Sequence, residues 1–153
     1  MIEDILKSKS KPKEKQLQLV EAVCNDKIND EEFIDFFTSA SDVDKGTCAD
    51  AMKHISKLKP EVFAPFIDTL VDYIDYKASR VKWDVPETIG NMTKKCPDKV
   101  EKAIPKLLRN TKDESTIVRW CAAYALSEIA RYNQKRQKEL ISIFFWDCKK
   151  REK

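Results

Sequence analysis

The feature that most restricts the fold of this chain is a pattern of residues that recurs every 37 positions. Val81-Lys82-Trp83 is matched by Val118-Arg119-Trp120, and apolar residues downstream of each tripeptide follow with the same spacing. The matched apolar pairs are Ile89 with Leu126, Met92 with Ile129, Ile104 with Ile141, and Leu107 with Phe144. A repeat of about 20 to 50 residues is typical of proteins in which each repeat buries its apolar face against the next.

The pattern extends toward the N-terminus. The same spacing carries Pro97 back to Pro60, and a looser copy further upstream places Phe66 on Phe33. The chain therefore contains about four copies, of which the N-terminal one is divergent. Because the whole chain has 153 residues, we expect a single domain over residues 1–153.

Each copy is predicted to contain two helices. Val118, Ala122, Leu126 and Ile129 are spaced by three and four residues, which places them on one face of a helix. The chain has only 2 glycines, too few for the many tight turns of an all-β fold. We therefore predict an all-α fold. The predicted helices lie near residues 2–7, 14–24, 30–38, 45–58, 61–76, 80–95, 98–109, 116–132 and 136–149, followed by a basic tail at 149–153.

The charges are numerous but mixed in sign. There are 29 Lys and Arg against 26 Asp and Glu, and a net charge of +3 is too small to indicate nucleic-acid binding by itself. No apolar run approaches the roughly 18 residues of a membrane span. The first residues include Glu3 and Asp4, where a signal peptide has basic residues. We therefore expect a cytoplasmic protein with no membrane contact.

The cysteines and the single histidine argue against a metal site. The five cysteines are odd in number, form no CxxC pair and match no zinc-ligand spacing. His54 is six residues from Cys48, which places the two on different sides of a helix and does not favour a nucleophile with its base. We accordingly predict no cofactor, no metal and no catalytic residue, and we expect the thiols to be buried or half-buried.

The segment Asp113 to Ala130, DESTIVRWCAAYALSEIA, contains an Asp in a turn, then Val-Arg, a pair of Ala and Ala-Leu. In this order these residues resemble the repeat signature of bacterial and archaeal HEAT-like proteins. The resemblance is good here and partial in the preceding repeat, where Lys82 replaces the Arg and Val85-Pro86 replaces the Ala pair; it is weak before residue 60. Tetratricopeptide repeats are the main rival, but their Trp-Leu-Gly-Tyr pattern is not matched here.

The HEAT-like resemblance implies a right-handed α-α superhelix of about four stacked helix pairs, whose second helices line a concave face. It also implies a structural role for Asp113 and Arg119, which are six residues apart and are expected to bond across the turn before the helix. The reading of this pair as a catalytic acid with an anion clamp is disfavoured by its place in the repeat pattern.

Two polar and aromatic stripes lie off the apolar helix faces. Trp83 and Trp120 occupy the same repeat position, so the stripes should line up side by side if the repeats stack. The stripes contain Trp83, Glu87, Asn91 and Lys94 in one repeat, and Trp120, Tyr124, Glu128 and Arg131 in the next. A third stripe one repeat earlier contains Gly46, Asp50, Lys53, His54 and Lys57. We predict that the first two form a binding groove on the concave face; in the alternative, each Trp packs over the neighbouring helix and supports the stack.

Two functions agree with these residues. The first is a non-catalytic scaffold that binds a protein or peptide on its concave face. The alternative is a DNA-binding protein related to the HEAT-like alkylpurine DNA glycosylases, which carry Trp, carboxylate and basic residues on a concave face; the acid would then be Glu87 or Asp50. A mainly positive face would favour DNA, whereas a face of mixed charge would favour a protein partner.

Overall fold

The computed structural model describes residues 1–151, with Arg151 described through its backbone only. In this part of the chain the regular elements are all helices, joined by turns, and there are no strands. The helices are α1 (Ile2–Lys7), α2 (Pro12–Cys24), α3 (Asp30–Ser39), α4 (Asp42–Leu58), α5 (Ile67–Asp72), α6 (Ser79–Met92), α7 (Ile104–Asn110), α8 (Thr116–Tyr132) and α9 (Gln134–Arg151). Short 3₁₀ helices at Ala64–Phe66 and Lys99–Ala103 precede α5 and α7. The predicted all-α fold class is confirmed.

Side-chain caps determine where several helices begin. The Asn29 carboxamide oxygen accepts a hydrogen bond from the backbone N–H of Glu32 at 2.7 Å, and the hydroxyl of Ser115 accepts one from Val118 at 3.4 Å. Ser41 caps α4 in the same way, so that helix begins at residue 42 rather than 45. α2 begins at Pro12 rather than 14, because proline tolerates the first helical position, where no N–H donor is required.

The prediction of continuous helices over 61–76 and 98–109 was wrong. Each segment starts with turns and a 3₁₀ helix, and the α-helical parts are only Ile67–Asp72 and Ile104–Asn110. Pro65 and Pro105 explain the difference, because proline lacks an N–H donor and favours the first turn of an α-helix, where Pro105 lies in α7. The apolar spacing is kept through these segments, which is why periodicity alone suggested longer helices.

The long helices α2, α4, α6 and α8 pack side by side in chain order. The shorter helices α3, α5 and α7 each pack against the long helix that follows, while α1 packs on α2 and α9 packs on α8. One connected apolar core runs from Ile2 to Leu140. The predicted apolar face of α8, including Ala122, Leu126 and Ile129, is completely buried within it.

The C-terminal helix departs from the pattern of the repeat. Leu140 is buried, but Ile141 and Phe145 are mostly exposed, since only one side of α9 packs against α8. The basic tail predicted for 149–153 begins inside this helix, which continues to Arg151; residues 152 and 153 lie outside the described residues. Over residues 1–151, no helix has both the length and the apolar character needed to cross a membrane.

Candidate functional site

The predicted stripes of α4, α6 and α8 meet on the solvent side of these helices, which we call the α4–α6–α8 face. The Lys57 ammonium lies 3.6 Å from the Glu87 carboxylate, which joins α4 to α6. The Asn91 amide donates to the backbone oxygen of Lys53 at 3.1 Å, and the Tyr124 hydroxyl donates to the Asn91 amide oxygen at 2.6 Å. Glu87 and Asn91 of α6 therefore connect α4 on one side with Tyr124 of α8 on the other.

Gly90 allows the ring of Tyr124 to lie directly against α6. A Cβ atom at position 90 would lie 2.7 Å from Tyr124 Cε1, closer than real Cβ contacts allow. Tyr124 in turn stacks on Trp120, with ring centroids 6.1 Å apart and planes 8° from parallel. Trp120 is 61% exposed, whereas Trp83 at the equivalent repeat position is half-buried. The two indoles thus have different surroundings despite their equal place in the repeat.

A second cluster is formed by Lys94, just after the end of α6, and by the last two residues of α8. The Lys94 ammonium lies 5.9 Å from the centre of the Tyr132 ring, and the Arg131 guanidinium lies 5.2 Å from it. Both distances are within the range of cation–π attraction. Glu128 lies half-buried on the same helix face as Tyr124, and the charges of Glu128 and Glu87 add to burial in raising the pKa of the Tyr124 hydroxyl.

A buried ion network underlies this face between α4 and α6. The Asp84 side chain is only 5% exposed, and its carboxylate lies 2.9 Å from the Lys53 ammonium. Lys53 also lies 3.1 Å from Asp50, and Asp50 accepts from the Arg80 guanidinium at 2.8 Å. Oδ2 of Asp84 has no hydrogen-bond partner among the described residues, although Arg80 Nε lies 3.9 Å away.

The pKa directions show how burial and charge compete in this network. Burial raises the pKa of Asp84, and the hydrogen bond from Lys53 offsets this only in part. Burial acts to lower the pKa of Lys53, but its bonds to Asp84 and Asp50 prevail and raise it. Asp84 and Arg80 were not among the predicted site residues. The sign of Asp84 in the sequence is an aspartate between the apolar positions Val81 and Val85 of a helix.

Asp113 and Arg119 bond across the turn, but through the backbone oxygen of Asp113 rather than its carboxylate. Arg119 does bind the turn, donating to the backbone oxygens of Asp113 at 2.8 Å and Glu114 at 2.9 Å. The Asp113 carboxylate instead binds the ammonium of Lys82 and accepts from the N–H of Ser115. These bonds, that of Lys82 first, lower the pKa of Asp113. Lys82 occupies in the preceding repeat the position of Arg119. The Asp113 carboxylate therefore links the turn before α8 to α6 of the preceding repeat, rather than to α8 itself.

The remaining candidates for chemistry are the single histidine and the cysteines. His54 lies 3.5 Å from Asp50 at the edge of the α4–α6–α8 face. Cys48 is fully buried, and burial raises the pKa of its thiol to about 12, so it carries no thiolate at neutral pH. Among residues 1–151, no three His, Cys, Asp or Glu side chains are grouped as metal ligands would be.

The charges of the α4–α6–α8 face are mixed. The acidic members are Asp50, Asp84, Glu87 and Glu128, and the basic members are Lys53, Lys57, Arg80, Lys94 and Arg131. Lys53, Lys57 and Arg80 all pair with carboxylates of the same face. Comparison of the chain with models of protein families, with curated proteins and with solved structures finds no match. The geometry and charge of the α4–α6–α8 face are therefore the guide to what this chain binds.

Proposed function

We propose that this chain is a non-catalytic interaction module, a right-handed superhelix of about four stacked HEAT-like helix pairs that binds a protein or peptide on its α4–α6–α8 face. The observation that carries the proposal is the exposed indole of Trp120, stacked on Tyr124 beside Asn91. Aromatic side chains held rigidly at the surface contribute a large share of the binding energy at protein interfaces. The order of packing, α2 to α4 to α6 to α8, supports the stacked architecture.

The charge distribution favours a protein partner over DNA. Binding to DNA gains affinity when basic side chains displace the counterions of phosphates. Three basic side chains of this face are already paired with carboxylates, and the acids Glu87 and Asp50 would repel a phosphate backbone. Glu87 and Asp50 are also the acids that the glycosylase alternative requires, and each is engaged by a neighbouring cation. A partner with both charged and apolar groups fits this face better than a polyanion.

The test compares two exposed tryptophans. Trp120 and Trp146 are equally exposed, at 61% each, but Trp146 belongs to α9 and is not part of α4, α6 or α8. We expect Trp120→Ala to lose the proteins that the wild-type chain captures from a lysate and Trp146→Ala to keep them, with both variants equally helical by circular dichroism. Captured proteins are identified by mass spectrometry and remeasured in purified form by calorimetry.

Two results would contradict the proposal. Equal capture by the Trp120 and Trp146 variants would show that the α4–α6–α8 face is not the binding site. Capture that disappears after nuclease treatment would support nucleic acid as the partner. In that case, release of a modified base from alkylated duplex DNA, abolished by Glu87→Gln, would establish the glycosylase alternative.

A further inference from the structure

A cleft of about 660 Å³ lies between α2 and α4, next to the α4 side of the α4–α6–α8 face. Its walls come from both helices, and Arg80 of α6 reaches its edge. The volume is in the range of sites that enclose a small ligand or a few residues of a peptide. Neither the repeat pattern nor the predicted stripes pointed to α2, so this cleft is a feature of the tertiary structure.

The base of the cleft contains a buried polar side chain without a partner. Gln16 is 4% exposed and lines the cleft, and its Nε2 has no hydrogen-bond acceptor among the described residues. Buried amide groups are normally hydrogen-bonded, because leaving one unpaired loses its hydration without replacement. A primary amide offers a donor and an acceptor side by side, which matches the carbonyl and N–H groups of a peptide main chain.

The walls of the cleft are aliphatic. Leu17 of α2 is 49% exposed and Leu58 of α4 is 67% exposed, and Val20 lines the cleft between them. Large aliphatic side chains exposed on opposite walls of one depression form a surface that an aliphatic side chain of a partner would cover. This surface favours a ligand with an apolar part rather than a fully hydrated ion.

The rim of the cleft is positively charged. Of the described side chains that line it, Lys13, Lys57 and Arg80 are basic and only Asp50 is acidic. Asp50 is already shared by Arg80 and Lys53, at 2.8 Å and 3.1 Å. Arg80 is thus taken up by Asp50, and Lys57 is paired with Glu87, whereas Lys13 has no carboxylate partner among the described residues. An unpaired ammonium beside aliphatic walls is complementary to a carboxylate adjacent to an aliphatic side chain.

We propose that this cleft binds an extended peptide segment in which an aliphatic residue lies next to Asp or Glu. On binding, the Gln16 side chain turns to present its buried amide to a main-chain carbonyl of the peptide, Leu17 and Leu58 enclose the aliphatic side chain, and Lys13 binds the carboxylate. The inference rests on the proposed function, since it names the anchor of the partner that the α4–α6–α8 face binds. Lys57 joins the two surfaces, because it lines the cleft and pairs with Glu87.

The test uses a phage-displayed library of random 12-residue peptides, selected on the purified full chain. We expect the enriched peptides to share an aliphatic residue beside Asp or Glu. The best of them, made with a fluorescent label, is then titrated by anisotropy against variants of the cleft. Lys13→Glu is expected to weaken its binding about tenfold by charge reversal. Gln16→Leu is expected to weaken binding about fivefold by removing the buried donor.

A matched control and an NMR readout separate binding from folding. Lys9→Glu makes the same charge change at an exposed lysine that does not line the cleft, and it should leave binding unchanged. In a ¹⁵N-labelled sample, the side-chain amide signals of Gln16, identified by their loss in Gln16→Leu, should shift when the peptide is added. A folding defect would instead alter the circular dichroism of the variant without peptide.

The outcomes distinguish this inference from the proposed function. Peptides that bind Lys13→Glu and Gln16→Leu as well as wild type, but not Trp120→Ala, would overturn the cleft and support the α4–α6–α8 face. Peptides whose binding is weakened only by the cleft variants would support the cleft. The capture experiment with Trp120→Ala would then test the α4–α6–α8 face separately. Failure to enrich any sequence, or enrichment of basic sequences, would overturn the cleft as a site for an acidic peptide.

Discussion

The two glycines of the chain have opposite surroundings, although both lie within helices. A Cβ atom at Gly90 would meet the ring of Tyr124 at 2.7 Å and the backbone of Ala125 at 3.1 Å. A Cβ atom at Gly46 would meet only the side chain of Arg80, at 3.1 Å or more. Gly90 is therefore a condition for the close approach of α6 and α8, and for the position of Tyr124 on the α4–α6–α8 face.

We expect Gly90→Ala to lower the free energy of unfolding by about 1–2 kcal/mol, because overpacking and the loss of the Tyr124–Asn91 bond exceed the gain of about 1 kcal/mol in helix propensity. Gly46→Ala should lower the free energy of unfolding by no more than about 0.5 kcal/mol, or raise it, since the Arg80 side chain needs to move only slightly. Urea denaturation of both variants measures the difference. Equal stabilities would show that Tyr124 does not pack on Gly90 as described.

The cysteines should differ widely in reactivity. Burial raises the pKa of Cys121 to about 11, with Glu87 and Asp84 adding to the effect, and that of Cys48 to about 12. Cys148 is exposed on α9. We expect Ellman's reagent at pH 8 to modify Cys148 first, and Cys148→Ser to remove this fast phase. Cys48 and Cys121 should react only after denaturation; rapid modification of all five thiols in the native protein would contradict their burial.

At the scale of elements, the bond between Lys82 and Asp113 joins α6 to the turn that precedes α8. It lowers the pKa of Asp113, so the stability it contributes is present above the ordinary value of 3.8 and is lost as the pH falls through the lowered pKa. We expect Asp113→Asn to cost up to about 1 kcal/mol at pH 7, as for partly exposed ion pairs. The difference from wild type should vanish under strongly acidic conditions; a difference unchanged by pH would exclude the ion pair as its cause.

The contact between α6 and α8 also depends on small side chains. Ala122 and Ala125 are completely buried, and the backbone of Ala125 lies against Gly90. Ala122→Leu and Ala125→Leu should each destabilise the protein by about 1–3 kcal/mol through overpacking. Ala123→Leu is the control, because Ala123 is only half-buried and borders a solvent-filled cleft beside Trp120. Thermal unfolding that ranks Ala123→Leu as the most damaging would contradict this arrangement.

At the scale of the whole molecule, the central helices should be the most protected. α4 lies between α2 and α6, and α6 lies between α4 and α8, whereas α1 packs on α2 and α9 exposes several apolar side chains. Stability is greatest where an element has packed neighbours on both sides. We expect hydrogen exchange measured by mass spectrometry to be slowest in α4 and α6 and fastest in α1 and the second half of α9. Uniform protection along the chain would indicate a single cooperative unit without such a gradient.

The amino-acid sequence by itself was sufficient for the helical fold class and for the buried faces of the long helices. The spacing of Val118, Ala122 and Ile129 predicts burial on one side of α8, and all three are buried. Burial could be predicted because a helix has about 3.6 residues per turn, so residues three and four positions apart lie on the same face whatever the helix packs against. The HEAT-like superhelix, the binding function and its site residues stay predictions, since they concern partners and geometry beyond single helices.

Only the tertiary structure decided which polar side chains meet. Lys53 and Asp84 are 31 residues apart, as are Lys82 and Asp113, and the cleft at Gln16 is lined by residues of both α2 and α4. Periodicity places a residue on a helix face, but the distance to the next helix depends on small contacts such as that of Gly90 with Tyr124. Those contacts are set by packing among all the helices, which no spacing within one helix encodes.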